Sequence, residues 1–144
     1  MKNYDYQPGA SLKMWRDFFT NANIYSIDIN RDALFTEERI NTYLCSQIDQ
    51  IKINELFKNK KFNFILDDGS HLLEHQIKSL NIFLDYLEND GIYIIEDVKE
   101  DLFNKENLIK YLGNTDILNK IKIEEYNLRK GFNRSNFFYL ITKK

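Results

Sequence analysis

Only one cysteine, Cys45, occurs in the 144 residues. That excludes an intrachain disulfide and fits a reducing, cytoplasmic setting. The expectation for Cys45 is a buried, inert thiol. Positive charge is not in excess: 20 Lys and Arg stand against 22 Asp and Glu, a net charge of −2. No strong pull toward nucleic acid is expected from that balance. No apolar stretch is long enough to cross a bilayer, and the N-terminal residues lack a signal-peptide layout, so no membrane partner is expected. Repeats, linkers and a second compositional region are missing too. What is present is 43% hydrophobic and 15% aromatic residues. That suits one globular α/β domain over residues 1–144, with a single core. The many Asn, Lys and Ile residues reflect coding bias rather than function.

The most informative feature is a pair of acidic patches, each ending a hydrophobic run. Phe62-Asn63-Phe64-Ile65-Leu66 runs into Asp67-Asp68-Gly69-Ser70-His71, and Gly91-Ile92-Tyr93-Ile94-Ile95 runs into Glu96-Asp97. Each run reads as a short buried strand. A helical pattern separates them, so the strands should be parallel, with their carboxyl ends on the edge where open α/β sheets bind ligands. Neighbouring strands lie roughly 4.8 Å apart. Four carboxylates and a histidine are thus expected in one small volume, which suits a hard cation.

Along the chain, Ser11 is a candidate N-cap for a helix carrying Leu12, Trp15, Phe18 and Phe19 through about Asn21. Ile24–Ile27 is a strand ending at Asp28, Ile40–Leu44 a weaker strand, and Ile53, Leu56 and Phe57 mark a short helix. Leu73, Ile77, Leu80, Phe83, Leu84 and Leu87 mark an amphipathic helix stopped by Asn89-Asp90-Gly91. Leu102–Leu112 is a further helix. Lys120–Arg129 and Phe137–Thr142 read as a terminal hairpin. The order predicts a Rossmann-like, mostly parallel sheet with helices on both faces and an antiparallel end. The strands ending at Asp28, Asp67 and Ile95 are expected to be neighbours.

Several residues carry chemistry on this reading. Asp28, at a strand end, could accept both hydroxyl protons of a ribose diol, or could be a solvated strand-end acid. Gly9 could admit a cofactor close to the backbone, or simply make a turn. Asp68, Glu96 and Asp97 supply three anionic oxygens toward the six-coordinate shell of Mg²⁺, or are exposed strand-end acids. Strict alternation would split Glu96 from Asp97, so both can ligate only if the strand has already broken. His71 could take a proton from a hydroxyl, or make a structural bond at a helix start. His71-Leu72-Leu73-Glu74-His75 also matches the H-x-x-E-H pattern of inverted zinc peptidases. It begins at a strand-to-helix junction, however, and no other histidine exists to complete the site.

Gly9-Ala10-Ser11-Leu12-Lys13-Met14-Trp15, Ile27-Asp28-Ile29, Asp67-Asp68-Gly69-Ser70-His71 and Ile95-Glu96-Asp97 together resemble class I S-adenosylmethionine-dependent methyltransferases. The branch they resemble is the metal-dependent sugar O-methyltransferases of macrolide and rhamnose tailoring. The resemblance covers most of Gly9 to Val98, and the Asp-Asp-Gly-Ser-His block is its more specific part. It implies Mg²⁺ on Asp68, Glu96 and Asp97, with His71 as general base. It places S-adenosylmethionine against Gly9, Ser11, Asp28, Gln47 and Asp67, and a sugar-bearing small molecule as acceptor. Gln47 lies in Ser46-Gln47-Ile48-Asp49, where Ser46 replaces the first acid of the family's Asp-Gln-Ser-Asp stretch. The family opens this domain with an apolar strand, whereas only Met1 to Pro8 precede Gly9 here, with Asn3 near the place of its acid and Asp5 near that of its glycine. The expectation is a shortened domain without a normal first strand that binds the cofactor weakly. Its alternative is a Rossmann-like binding or assembly subunit without catalysis. An incomplete sheet edge also favours self-association.

Overall fold

Gly9 sits at φ 86° and starts helix α1 (Ala10–Phe18). The computed structural model describes residues 8–98, 106, 109–110, 115–127 and 137–144. The chain divides into two compact units, Met1–Ile53 and Asn54–Lys144.

In the first unit, α1 is capped by the backbone of Gly9, whose carbonyl accepts from the Lys13 amide at 3.0 Å. Ser11 is therefore inside the first turn rather than at the cap. The left-handed conformation that opens this helix needs a residue without a Cβ, and a Cβ on Gly9 would also overlap the Phe35 ring. At the other end, the Arg39 guanidinium donates to the carbonyls of Arg16, Phe19 and Ala22 at 3.0–3.1 Å. It satisfies acceptors that the end of a helix leaves open. Strand β1 (Ile24–Asp28) is followed by a 3-10 turn at Arg31–Ala33, capped by Asn30. Strands β2 (Thr36–Glu37) and β3 (Ile40–Leu44) complete a three-stranded sheet of order β1-β3-β2. β1 and β3 are parallel with Asp28 opposite Leu44, and β2 is antiparallel to β3. Helix α2 (Gln50–Phe57) contains the division between the units.

The second unit is built on β4 (Phe62–Asp67), α3 (Leu73–Phe83), β5 (Leu87–Ile95), α4 (Thr115–Lys120), β6 (Ile121–Asn127) and β7 (Phe137–Lys143). The sheet order is β4-β5-β7-β6. β4 and β5 are parallel, with Asp67 opposite Ile95, so both strands end flush. β5–β7 and β6–β7 are antiparallel, which is the expected hairpin added to a parallel pair. Leu80, Leu87, Tyr93, Ile95, Tyr139 and Ile141 are each no more than 1% exposed. Burial of side chains of this size contributes about 1.5–3 kcal/mol apiece.

Three expectations change. Both sheets are mixed, with two parallel and three antiparallel pairings among the described residues. Among the described residues β1 pairs with β3, so the expected pairing of the strands ending at Asp28 and Asp67 is not found there. Alternation of strands and helices predicts parallel direction, but which strands adjoin depends on non-local pairing. The helix after His71 is shorter than its apolar spacing predicts. The chain tightens to a 3-10 turn at Leu84–Tyr86 and is already a strand at Leu87. Lys143 secures this change of path by donating to the Leu84 and Leu87 carbonyls at 3.2 and 2.8 Å. Asn89-Asp90-Gly91 lies within β5, and its turn chemistry appears as a left-handed Asp90, φ 61°. Most of the helix expected at Leu102–Leu112, and all of Met1–Gln7, lie outside the described residues.

Candidate active site

The flush ends of β4 and β5 bring the two acidic segments together. The last bond between the strands runs from the Glu96 amide to the Asp67 carbonyl at 3.0 Å. Beyond it both segments leave the ladder. His71 and Asp97 then adopt left-handed backbones, φ 54° and φ 48°. Such conformations are uncommon for residues with side chains and cluster where function fixes the backbone. β5 has ended before Glu96, which meets the condition that alternation imposes on the Glu96–Asp97 pair.

Asp68, His71 and Asp97 each offer a ligand atom within 4.8 Å of the others. His71 Nε2 lies 3.2 Å from Asp68 Oδ1. Their side chains are 37% and 58% exposed, so incoming molecules can reach them. Glu96 is half-buried and outside that trio, but it senses it. Burial first, then the charges of Asp68 and Asp97, push its carboxyl above the usual range, and His71 opposes them. Carboxylates gathered this closely form a donor set that suits a hard divalent cation.

Asp67 points the other way, as alternation along a strand requires. It is 6% exposed. Oδ2 accepts from the Tyr93 hydroxyl at 3.1 Å, and Oδ1 accepts from the Gly69 amide at 3.3 Å. The Tyr93 hydroxyl also meets Ser79 Oγ at 3.0 Å. Burial raises the Asp67 carboxyl, and these hydrogen bonds partly offset it. Of the four carboxylates expected around His71, Asp67 is thus turned into the core, where the charge of His71 still bears on it.

His71 precedes α3, so it does not share a helix face with His75. His75 Nδ1 instead pairs with Ser70 Oγ at 2.8 Å, and no described metal-capable group contains it. The H-x-x-E-H pattern is thus not assembled as a histidine pair. Gln76 and Ser79, both buried, were not among the residues singled out from the sequence. A signal existed: Gln76 is three residues after Leu73 and four before Leu80, on the apolar stripe of α3. Gln76 Nε2 donates to the Glu96 carbonyl at 3.0 Å.

In the first unit, Asp28 closes β1, and its Oδ1 accepts from the Asn30 amide at 2.7 Å, which orients the carboxylate. Ser11 is exposed on the first turn of α1. Gln47 is half-buried in the turn after β3. Cys45 is buried, as expected, and burial raises its thiol pKa.

No family model matches the sequence. The chain is 36% identical to demethylmacrocin O-methyltransferase of Streptomyces fradiae over 91 residues, which are 62% of this chain and 23% of that protein. It is 33% identical to mycinamicin VI 2''-O-methyltransferase of Micromonospora griseorubida over 91 residues, again 62% and 23%. The chain thus spans about a quarter of the length of these relatives. In structure it matches the MycE methyltransferase of the mycinamycin biosynthetic pathway, solved with Mg and SAH. The TM-score is 0.74 at 22% identity, over 98% of this chain and 42% of that one. The chain is thus similar over 62% of its length to these O-methyltransferases, and it shares the fold of the MycE methyltransferase.

Proposed function

We propose that this chain carries the catalytic edge of an S-adenosylmethionine-dependent O-methyltransferase acting on a hydroxyl of a sugar or glycosylated small molecule, with Mg²⁺ assistance. The observation that carries the reading is the convergence of Asp68, His71 and Asp97 within 4.8 Å at the paired ends of β4 and β5. Asp68, Glu96 and Asp97 would hold the cation. When bound, Mg²⁺ lowers the pKa of a hydroxyl it coordinates and neutralises the oxygen left behind. His71 takes the proton of that hydroxyl, and Asp68, 3.2 Å from Nε2, stabilises the imidazolium that results. Gly9, Ser11, Asp28 and Gln47 are the residues assigned to the cofactor. Asp28 would use its oriented carboxylate on the ribose diol. Asp67 belongs to the same set, although its carboxylate also accepts from the Tyr93 hydroxyl.

One observation favours a second reading of the same residues. His71 stands within the ligand-distance trio while Glu96 does not. On that reading His71 ligates the metal and another group takes the proton.

The test is transfer of labelled methyl from S-adenosylmethionine to a panel of sugar-bearing acceptors. Transfer that stops with a chelator and returns with Mg²⁺ supports the proposal. Transfer indifferent to the chelator removes the metal from it. No transfer, with no cofactor bound, favours a binding or assembly subunit without catalysis.

A further inference from the structure

The carbonyl of Glu96 has left the β5 ladder, yet a main-chain acceptor at a half-buried position needs a partner. Gln76 supplies it. Its side chain is 3% exposed, and Nε2 donates to that carbonyl at 3.0 Å. The Glu96 carbonyl belongs to the same rigid peptide plane as the Asp97 amide. Holding the oxygen therefore fixes the plane from which Asp97 departs, at φ 48°. On the other side, the Glu96 amide is held by the Asp67 carbonyl at 3.0 Å. Just beyond, Val98 is 2% exposed and anchors the chain in the core. The turn is thus pinned before, at and after Asp97. Of these pins, only the middle one is a polar side chain from another element.

We propose that Gln76 is a positioning residue that keeps the Asp97 carboxylate facing Asp68 and His71, by fixing the Glu96–Asp97 peptide plane from α3. Without this bond the peptide is free to rotate, and Asp97 relaxes to the negative φ that residues with a Cβ prefer. Its carboxylate then swings away from the other two. The metal part of this inference rests on the function proposed above; the backbone part does not.

The experiment compares Gln76→Met, which keeps length and loses the donor, with Ile82→Val, a core truncation six residues further along the same helix. Gln76→Ala serves as the second donor-free variant should the methionine protein not fold. Mg²⁺ and Mn²⁺ affinities are read by calorimetry, and the Asp97 backbone conformation by its NMR chemical shifts without metal. We expect the donor-free variant to bind the ions about 10- to 100-fold more weakly. We expect its Asp97 shifts to lose their left-handed character, while Ile82→Val changes neither. Equal weakening in both variants, or unchanged affinity and shifts in Gln76→Met, overturns the proposal. If the unaltered protein binds neither ion, the metal reading fails. The Asp97 shifts then decide the role of Gln76: altered shifts uphold it as the residue that sets the turn, and unaltered shifts overturn it.

Discussion

The imidazole of His71 meets the carboxylate of Asp68 with 3.2 Å between Nε2 and Oδ1. They lie three positions apart in sequence, and the backbone of His71 is left-handed where they meet. Had helix α3 begun at His71, the ring would have followed the helix face toward His75. The turn instead returns it to the strand end where the acids gather.

Removing that imidazole should separate chemistry from binding. In His71→Ala, methyl transfer is expected to fall by roughly two to four orders of magnitude, because a positioned base contributes about that much. S-adenosylmethionine affinity should stay unchanged. Single-turnover assays at saturating cofactor check the first expectation, and calorimetry checks the second.

Tyr93 is fully buried, and its hydroxyl joins Ser79 to Asp67. Tyr93→Phe keeps the ring and deletes that donor. A buried carboxylate that loses a hydrogen bond should cost about 1–3 kcal/mol. Urea denaturation measures it, and a change near zero would show that the network contributes little to the fold.

The burial that raises the Asp67 carboxyl gives a signed pH dependence. The folded state holds that proton more tightly than the unfolded chain. The stability linked to it is therefore present at acid pH and lost as pH rises through the folded-state pKa. Glu96 is raised as well and adds the same sign. Asp67→Asn removes only the Asp67 share. The stability of the unaltered protein relative to this variant should fall as pH rises from about 4, near the ordinary aspartate pKa, toward neutrality. A difference that is flat with pH would contradict the assignment.

Gly9→Ala tests the start of α1. The left-handed backbone alone costs an alanine about 1–2 kcal/mol, and its methyl group would overlap Phe35. Thermal unfolding should show a loss larger than that figure. If Gly9 also admits the cofactor, affinity for S-adenosylmethionine should fall with it.

Strands β4 and β5 were legible because each is a β-branched and aromatic run cut short by acids, a pattern local in sequence. So were the terminal hairpin and the Asp68–His71 spacing. The neighbour of β1 was not legible, since strand order is decided by contacts far apart in the chain. The end of α3 was misread because Leu84 and Leu87 continue the helical spacing while serving a 3-10 turn and a strand. Ser11 looked like the cap because serine is a good one; the cap is Gly9, whose backbone conformation leaves no mark in a hydropathy pattern. Gln76 and Ser79 read as ordinary polar helix residues. Their burial follows only from the packing of α3 against its unit, although Gln76 interrupts an otherwise apolar stripe. Asp67 and Asp68 look alike in sequence, yet alternation sends one inward and leaves the other at the surface.

The central claim is that Asp68 holds a metal while His71 moves a proton. Titration of Mg²⁺ into Asp68→Asn and His71→Ala, each with S-adenosylmethionine present, tests it most directly. Asp68→Asn removes one of three anionic ligands, and its Mg²⁺ affinity should fall substantially, whereas His71→Ala should bind Mg²⁺ nearly as well as the unaltered protein. If His71→Ala abolishes metal binding and Asp68→Asn does not, the histidine is a ligand and the assignment of roles proposed here is wrong.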